Sequence, residues 1–369
     1  MIEPAFSTPS VDVYQGDVLG VLRRMPDASV DCIVTSPPYW GLRDYGVEGQ
    51  IGMEESPEEY VGKLVVVFRE ARRVLVNHGT LWLNIGDSYG TGTKEPRTLG
   101  KRGIGGKTQL AQDAMPRAGG PAKQLMGIPW RLAFALQADE WWLRSEIIWH
   151  KPNPMPESVT DRPTKAHEQV FLLSKSARYF YDADAISEPL SENTHMRMAQ
   201  NVAAQLGSDR AHAGGKTNGR MKAVVRSPKT TEAGSGIKNN HSFIDAVSLP
   251  VARSGNKERT PRPGPEGDTR HQMGGVPWED DGLGRNARTV WTINTQGYPG
   301  AHFATFPEEL PRRCIKAGCP AGGTVLDPFA GSGTTLAVAR DLGRRGVGIE
   351  LNPEYVKLIE VRCAQLALL

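Results

Sequence analysis

Two short stretches carry residue types able to do chemistry. The first is Ser36-Pro37-Pro38-Tyr39, which follows the apolar run VDCIVT. Its two prolines cannot continue a strand's hydrogen-bond ladder, so a hydroxyl, a stiff turn and an aromatic ring are set down together at one strand end. The second is Asp327-Pro328-Phe329-Ala330-Gly331-Ser332-Gly333-Thr334-Thr335, which reads as strand, glycine turn and helix. Glycine serves where backbone must come close to a ligand, and a helix start offers unpaired N–H groups.

The second stretch has three readings. A phosphate-gripping loop requires a lysine after its second glycine, but Thr334 and Thr335 follow Gly333. A dinucleotide fingerprint requires a third glycine where Leu336 stands. S-adenosylmethionine carries no phosphate, and needs a turn for its methionine part and an acidic residue for its ribose diol. Glu350 ends the run GVGIE about 20 residues beyond the turn, the length of one strand-helix-strand step, and Asn352 belongs to the same strand end. The plainer reading makes Asp327 and Glu350 turn residues that only close their strands.

The elements around these stretches follow from periodicity. Residues 30–35 predict a strand, and 57–75 predict a helix with apolar residues at helical spacing that exits at Asn77-His78-Gly79. Strands are expected at 80–85, 142–149, 170–173, 289–293, 324–326 and 346–350, and helices at 128–138, 306–317, 334–342 and 353–368. The pair 142–149 and 170–173 suits an antiparallel sheet edge. Elsewhere strand and helix alternate, which predicts an α/β fold with a mostly parallel sheet. Thr305-Phe306-Pro307-Glu308 has capping-box spacing for the helix after it, although Pro311 interrupts that helix. Asp17 reads equally well as the cap of a helix at Val18 and as a ligand-binding carboxylate.

The 369 residues carry a net charge of only +3, unevenly spread. Residues 90–127 hold seven Lys/Arg against two Asp/Glu, and 191–288 hold fifteen against ten. Both stretches lack periodicity and are rich in glycine, so 90–127 reads as a mobile loop and 191–288 as a partly flexible insertion. They divide the chain into 1–190, 191–288 and 289–369. Four scattered cysteines fit reduced thiols and no metal site. The start of the chain has neither a basic leader nor an apolar run, and no stretch reaches the roughly 18 apolar residues of a membrane span, so a cytoplasmic protein is expected.

Taken together, Ser36-Pro37-Pro38-Tyr39 and the Asp327–Thr335 turn resemble the amino-methylating DNA methyltransferases, in which Asp, Asn or Ser precedes Pro-Pro and an aromatic. Gly16-Asp17, Asn84-Ile85-Gly86-Asp87-Ser88-Tyr89 and His302-Phe303-Ala304-Thr305-Phe306-Pro307 extend the match. The catalytic stretch comes first, the circularly permuted order of the beta group. The resemblance implies a Rossmann-like class I fold with a seven-stranded, mostly parallel sheet whose first strand comes from residues beyond 320. It implies S-adenosylmethionine held by Asp17, Thr305, Phe306, Asp327, Pro328, Phe329, Ala330, Gly331, Ser332, Gly333, Thr334, Thr335, Glu350 and Asn352, and catalysis by Ser36, Pro37, Pro38 and Tyr39.

The residue types suit that chemistry. An exocyclic amino nitrogen conjugated to a ring is a poor nucleophile, so a site must hold its hydrogens in acceptors and aim its lone pair at the methyl group. Ser36 Oγ and the Pro37 carbonyl suit those acceptors, and Tyr39 suits stacking on a base turned out of double-stranded DNA. Serine at the first position resembles the cytosine-N4 enzymes; adenine N6 is the alternative, and an inactive DNA-binding module a more distant one. Cytosine C5 chemistry would need a Pro-Cys nucleophile, whereas Cys319 has its proline on the wrong side. The basic segments would contact phosphates, with 191–288 as the target-recognition region. A restriction endonuclease partner and a homodimer are further implications of the resemblance.

Overall fold

The computed structural model describes residues 3–42, 46–92, 120–189, 284–295 and 306–364. Most of both basic segments therefore lies outside the described residues. The chain divides into a larger unit, Met1–Tyr181 with Arg288–Leu369, and a smaller one, Asp182–Ala287. In the smaller unit, the backbones of Glu188 and Arg285 exchange hydrogen bonds of 2.9 and 2.7 Å, and their side chains form an ion pair at 3.1 Å.

Among the described residues the larger unit is built on nine strands: β1 (Phe6–Ser7), β2 (Val11–Gln15), β3 (Val30–Thr35), β4 (Leu75–Ile85), β5 (Trp142–His150), β6 (His167–Ser174), β7 (Val290–Thr292), β8 (Thr324–Asp327) and β9 (Arg345–Glu350). They lie in the order β1-β2-β9-β8-β3-β4-β6-β5-β7. From β2 to β4 the neighbours are parallel, and β6 pairs antiparallel with both β4 and β5. Seven strands thus form the expected class I sheet, with two short strands added at its edges: β1, antiparallel to β2, and β7, parallel to β5. The described helices are α1 (Val18–Leu22), α2 (Pro57–Val74), α3 (Ile128–Ala138), α4 (Glu309–Gly318), α5 (Thr334–Asp341) and α6 (Pro353–Ala364). One apolar cluster joins α1, α2 and α3 to the sheet through residues such as Leu22, Leu64, Phe68 and Leu132; another joins Val11 and Val13 to Leu336 of α5 and Ile359 of α6.

Three elements depart from the expectations. β2 had not been assigned: it is only five residues long, and Asp12, on the face opposite Val11 and Val13, is a buried carboxylate tied to Arg345 and Ser7. The exit of α2 is not Asn77-His78-Gly79: the helix ends at Val74, and Leu75 is already extended at φ −72° and ψ 138°. Gly79 lies inside β4, where an added Cβ would sit 2.5 Å from the Leu75 side chain and 2.9 Å from the Asp31 carbonyl. The glycine therefore permits close strand approach beside the register shift between Val30 and Cys32.

The third departure is α4, which starts at Glu309 and not at Phe306. Starting there places Pro311 in the first turn, where the missing N–H has no intrahelical acceptor to lose; from Phe306 it would stand in the interior. Glu308 makes no side-chain cap bond and pairs with Arg362 at 3.0 Å, while Thr305, its proposed capping partner, lies outside the described residues.

Candidate active site

Parallel strands expose their carboxyl ends on one rim of the sheet, and an open α/β sheet binds ligands there. A cavity of about 730 Å³ opens along this rim, lined from the ends of β2, β3, β4, β8 and β9, the start of β6 and the loop after β5. It brings together Asp17, Ser36, Pro37, Pro38, Tyr39, Phe306, Pro328, Phe329, Gly331, Glu350 and Asn352.

The catalytic loop is pinned from beneath. The Trp40 indole, 1% exposed, donates to the Glu54 carbonyl at 2.9 Å, and the Tyr60 hydroxyl donates to the Pro38 carbonyl at 2.7 Å. The Tyr39 ring lies directly against Gly86, where a Cβ would come within 2.6 Å of it. Its hydroxyl donates to Glu168 Oε2 at 2.7 Å and receives the Ser36 hydroxyl at 3.4 Å. Burial and the neighbouring Glu168 charge push the Tyr39 phenol well above its ordinary pKa, so it stays protonated.

On the cofactor side, Glu350 Oε2 accepts the Gly331 N–H and Oε1 the Asn352 N–H, each at 2.8 Å. Burial pushes its carboxyl up to about 7, despite those two backbone donors. Each carboxylate oxygen has a second lone pair beyond its backbone partner, so two hydroxyls facing the cavity can donate to it. Gly331, at φ +54°, keeps the turn open at this point, and Phe329 and Ile349 supply apolar wall. These residues fit a molecule with a diol and an apolar ring.

Several residues expected to hold the cofactor do not reach the cavity. Asp327, 2% exposed, accepts Thr35 Oγ1 at 2.6 Å, Thr335 Oγ1 at 2.7 Å and the Phe329 N–H at 3.1 Å. Both its oxygens are used within the protein, and it ties β3, β8 and α5 together one residue before Ser36. Ser332 and Thr334 turn away toward Arg362 of α6, at 3.3 and 2.9 Å. Gly333 (φ +79°) backs onto Ile359, and Ala330 and Thr335 are buried in the packing behind the loop. Asp17 lines the cavity and is also the cap of α1, accepting the Gly20 N–H at 2.8 Å. Thr305 lies outside the described residues.

The cavity also holds polar residues that sequence reasoning had not assigned: Asn84, Lys151, Lys165 and Glu168. Asn84 had been noted only within the stretch Asn84–Tyr89, and nothing in local spacing marked the other three, since β5 and β6 bring Lys151 and Glu168 to the rim only once the antiparallel pair has formed. Asp87 has a structural task. It accepts the Gly127 and Ile128 N–H groups at 3.1 and 3.0 Å and so caps α3, whose own N-cap residue has no side chain. The described cysteines are buried free thiols, and burial holds Cys319 up to about 12, far from thiolate reactivity.

This fold and rim site define an α/β methyltransferase of class I. The family model described as DNA methylase, for N6 and N4 methylation, matches residues 30–361, and the chain belongs to that family. Type II methyltransferase M.Cfr9I of Citrobacter freundii is 41% identical over 346 residues, spanning 94% of this chain and 85% of that protein. Type II methyltransferase M.SmaI of Serratia marcescens is 39% identical over 353 residues, 96% of this chain and 90% of that one. Among solved structures, the PvuII DNA methyltransferase (cytosine-N4-specific) superposes with a TM-score of 0.56 at 16% identity, covering 100% of this chain and 91% of that chain; at that identity the likeness speaks to the fold. The chain is accordingly a DNA amino-methyltransferase with S-adenosylmethionine as methyl donor. No described helix is long and apolar enough to cross a membrane.

Proposed function

We propose that the protein methylates the N4 amino group of cytosine at a specific double-stranded site, with the target base turned out of the duplex into the rim cavity. The observation that carries this reading is the state of Ser36. Its hydroxyl hydrogen is directed to Tyr39, so the Oγ lone pairs remain to accept a hydrogen from an amino group. The Pro38 carbonyl already receives the Tyr60 hydroxyl, and we take the neighbouring Pro37 carbonyl as the acceptor of the second hydrogen. With both amino hydrogens held, the nitrogen lone pair points along one line, and pre-set acceptors of this kind act without reorganising. Bound against Gly331 and Glu350, S-adenosylmethionine supplies the electrophilic methyl on its sulfonium.

Tyr39 gives the base a ring to stack on, its hydroxyl anchored so that the ring keeps its place, which offsets part of the few kcal/mol that unstacking costs. Serine ahead of Pro-Pro favours cytosine over adenine by resemblance. We assign the smaller unit and the two basic segments to the DNA, with 191–288 reading the target. The type II naming of the relatives supports pairing with a restriction endonuclease. A homodimer is supported by the resemblance alone.

The test is to incubate the purified protein with unmethylated DNA and labelled S-adenosylmethionine, digest to nucleosides and identify the product by mass spectrometry. N4-methylcytosine is expected. N6-methyladenine would keep the mechanism and reverse the base, and no product on any DNA would favour a binding module.

A further inference from the structure

Ser36 Oγ donates to Tyr39 Oη at 3.4 Å, and Tyr39 Oη donates to Glu168 Oε2 at 2.7 Å. Asn84 Oδ1 lies 3.4 Å from the same phenol, so the shorter contact fixes the hydrogen on the line to Glu168. Asn84 Nδ2 donates to Glu168 Oε2 at 3.2 Å, and Lys151, itself laid over the Trp149 ring, is ion-paired with Oε1. Three hydrogen-bonding groups, Ser36 and Tyr39 of the loop after β3 and Glu168 of β6, thus run in one direction from the cavity to a carboxylate.

Resting on the reading above, we propose that Glu168 is a positioning residue that receives the proton released in methyl transfer, through Tyr39 and Ser36. As the nitrogen–carbon bond forms and the carbon–sulfur bond breaks, the nitrogen becomes cationic and one of its two hydrogens must leave as a proton. It passes to Ser36 Oγ while the Ser36 hydrogen moves to Tyr39 Oη and the Tyr39 hydrogen to Glu168 Oε2. The two hydroxyls end as they began, and the carboxylate becomes a carboxylic acid beside Lys151. The Glu168 side chain, 16% exposed, then returns the proton to water.

Glu168→Gln separates proton acceptance from support, because a glutamine oxygen can still receive the Tyr39 hydrogen. The measurement is single-turnover methylation of DNA at saturating cofactor, with cofactor and DNA affinities determined in parallel for wild type, E168Q, E168D, Y39F and Y39F/E168Q. E168Q and Y39F are each expected to lose at least about tenfold in single-turnover rate with both affinities within about twofold of wild type. The double variant should be no slower than the slower single, and E168D, which keeps a carboxylate, should exceed E168Q. Losses that multiply in the double variant, or an E168Q rate equal to wild type, would overturn the relay. Should E168Q fail to bind cofactor, Y39F decides alone, a wild-type rate overturning the proposal. An active wild type with an unimpaired E168Q removes only the relay, whereas a wild type silent on every DNA removes the amino-methylation reading beneath it.

Discussion

At the scale of single residues, the site sorts carboxylates by what already surrounds them. Asp327 and Asp87 have their oxygens consumed by threonines and backbone donors and act as joints. Glu350 faces the cavity, and its carboxyl, raised to about 7 by burial, is protonated in about half of the ligand-free molecules near neutrality. A diol can donate two hydrogen bonds only to the ionised form without losing an acceptor. Affinity for S-adenosylmethionine is therefore expected to rise with pH, by up to about tenfold per unit below 7, and to level off above it. Calorimetric titration from pH 5.5 to 8.5 checks this, with Glu350→Gln expected to be weaker and flatter across that range. Asp327 was legible as a motif residue but not as a joint, because its partner Thr35 lies 292 positions away. Glu350 could be singled out by its spacing beyond the glycine turn and Ser36 and Tyr39 by the resemblance of their motif, and all three line the rim cavity.

At the scale of elements, strands with strong apolar patterns and helices with good periodicity were readable, and the misreadings share a cause. Asn77-His78-Gly79 has the composition of a helix exit, and only the neighbour β3 reveals that the glycine is there for a close strand crossing. Gly79→Ala should force Leu75 and the Asp31 carbonyl apart and lower unfolding stability by about 1–3 kcal/mol, as measured by urea denaturation, with no shift in the pH dependence of cofactor binding. A change below about 0.5 kcal/mol would mean that the strands accommodate the methyl group. The start of α4 lies at Glu309, beyond the expected Phe306: a capping-box pattern was present, but Pro311, already seen to interrupt that helix, shifts its beginning. The two carboxylate and lysine partners at the ends of β5 and β6 escaped notice because a hairpin-like pairing across an irregular loop leaves no local signature.

At the scale of the whole molecule, the alternating pattern was enough to give the sheet type, and the resemblance supplied its permuted order. The charge map gives a further expectation. An acidic body with basic residues gathered in 90–127 and 191–288 should bind DNA with a steep salt dependence. If Lys94, Arg97, Lys101 and Arg102 each meet a phosphate, replacing all four by Gln should lower the slope of log affinity against log salt by about 3.6 while cofactor binding stays unchanged. An unaltered slope would mean that this segment does not lie on the backbone. The strand order has a different consequence, for the chain as it is made. β8 and β9 sit between β2 and β3, although residues 11–35 precede them by some 290 positions. A ribosome that has released the first 300 residues has therefore delivered two strands with facing edges and an empty two-strand slot between them. Such unpaired edges invite association with other chains. Synthesis of 324–350 closes the slot, and in the same event it brings the glycine turn to Ser36, so the nascent chain acquires its fold and its chemistry together.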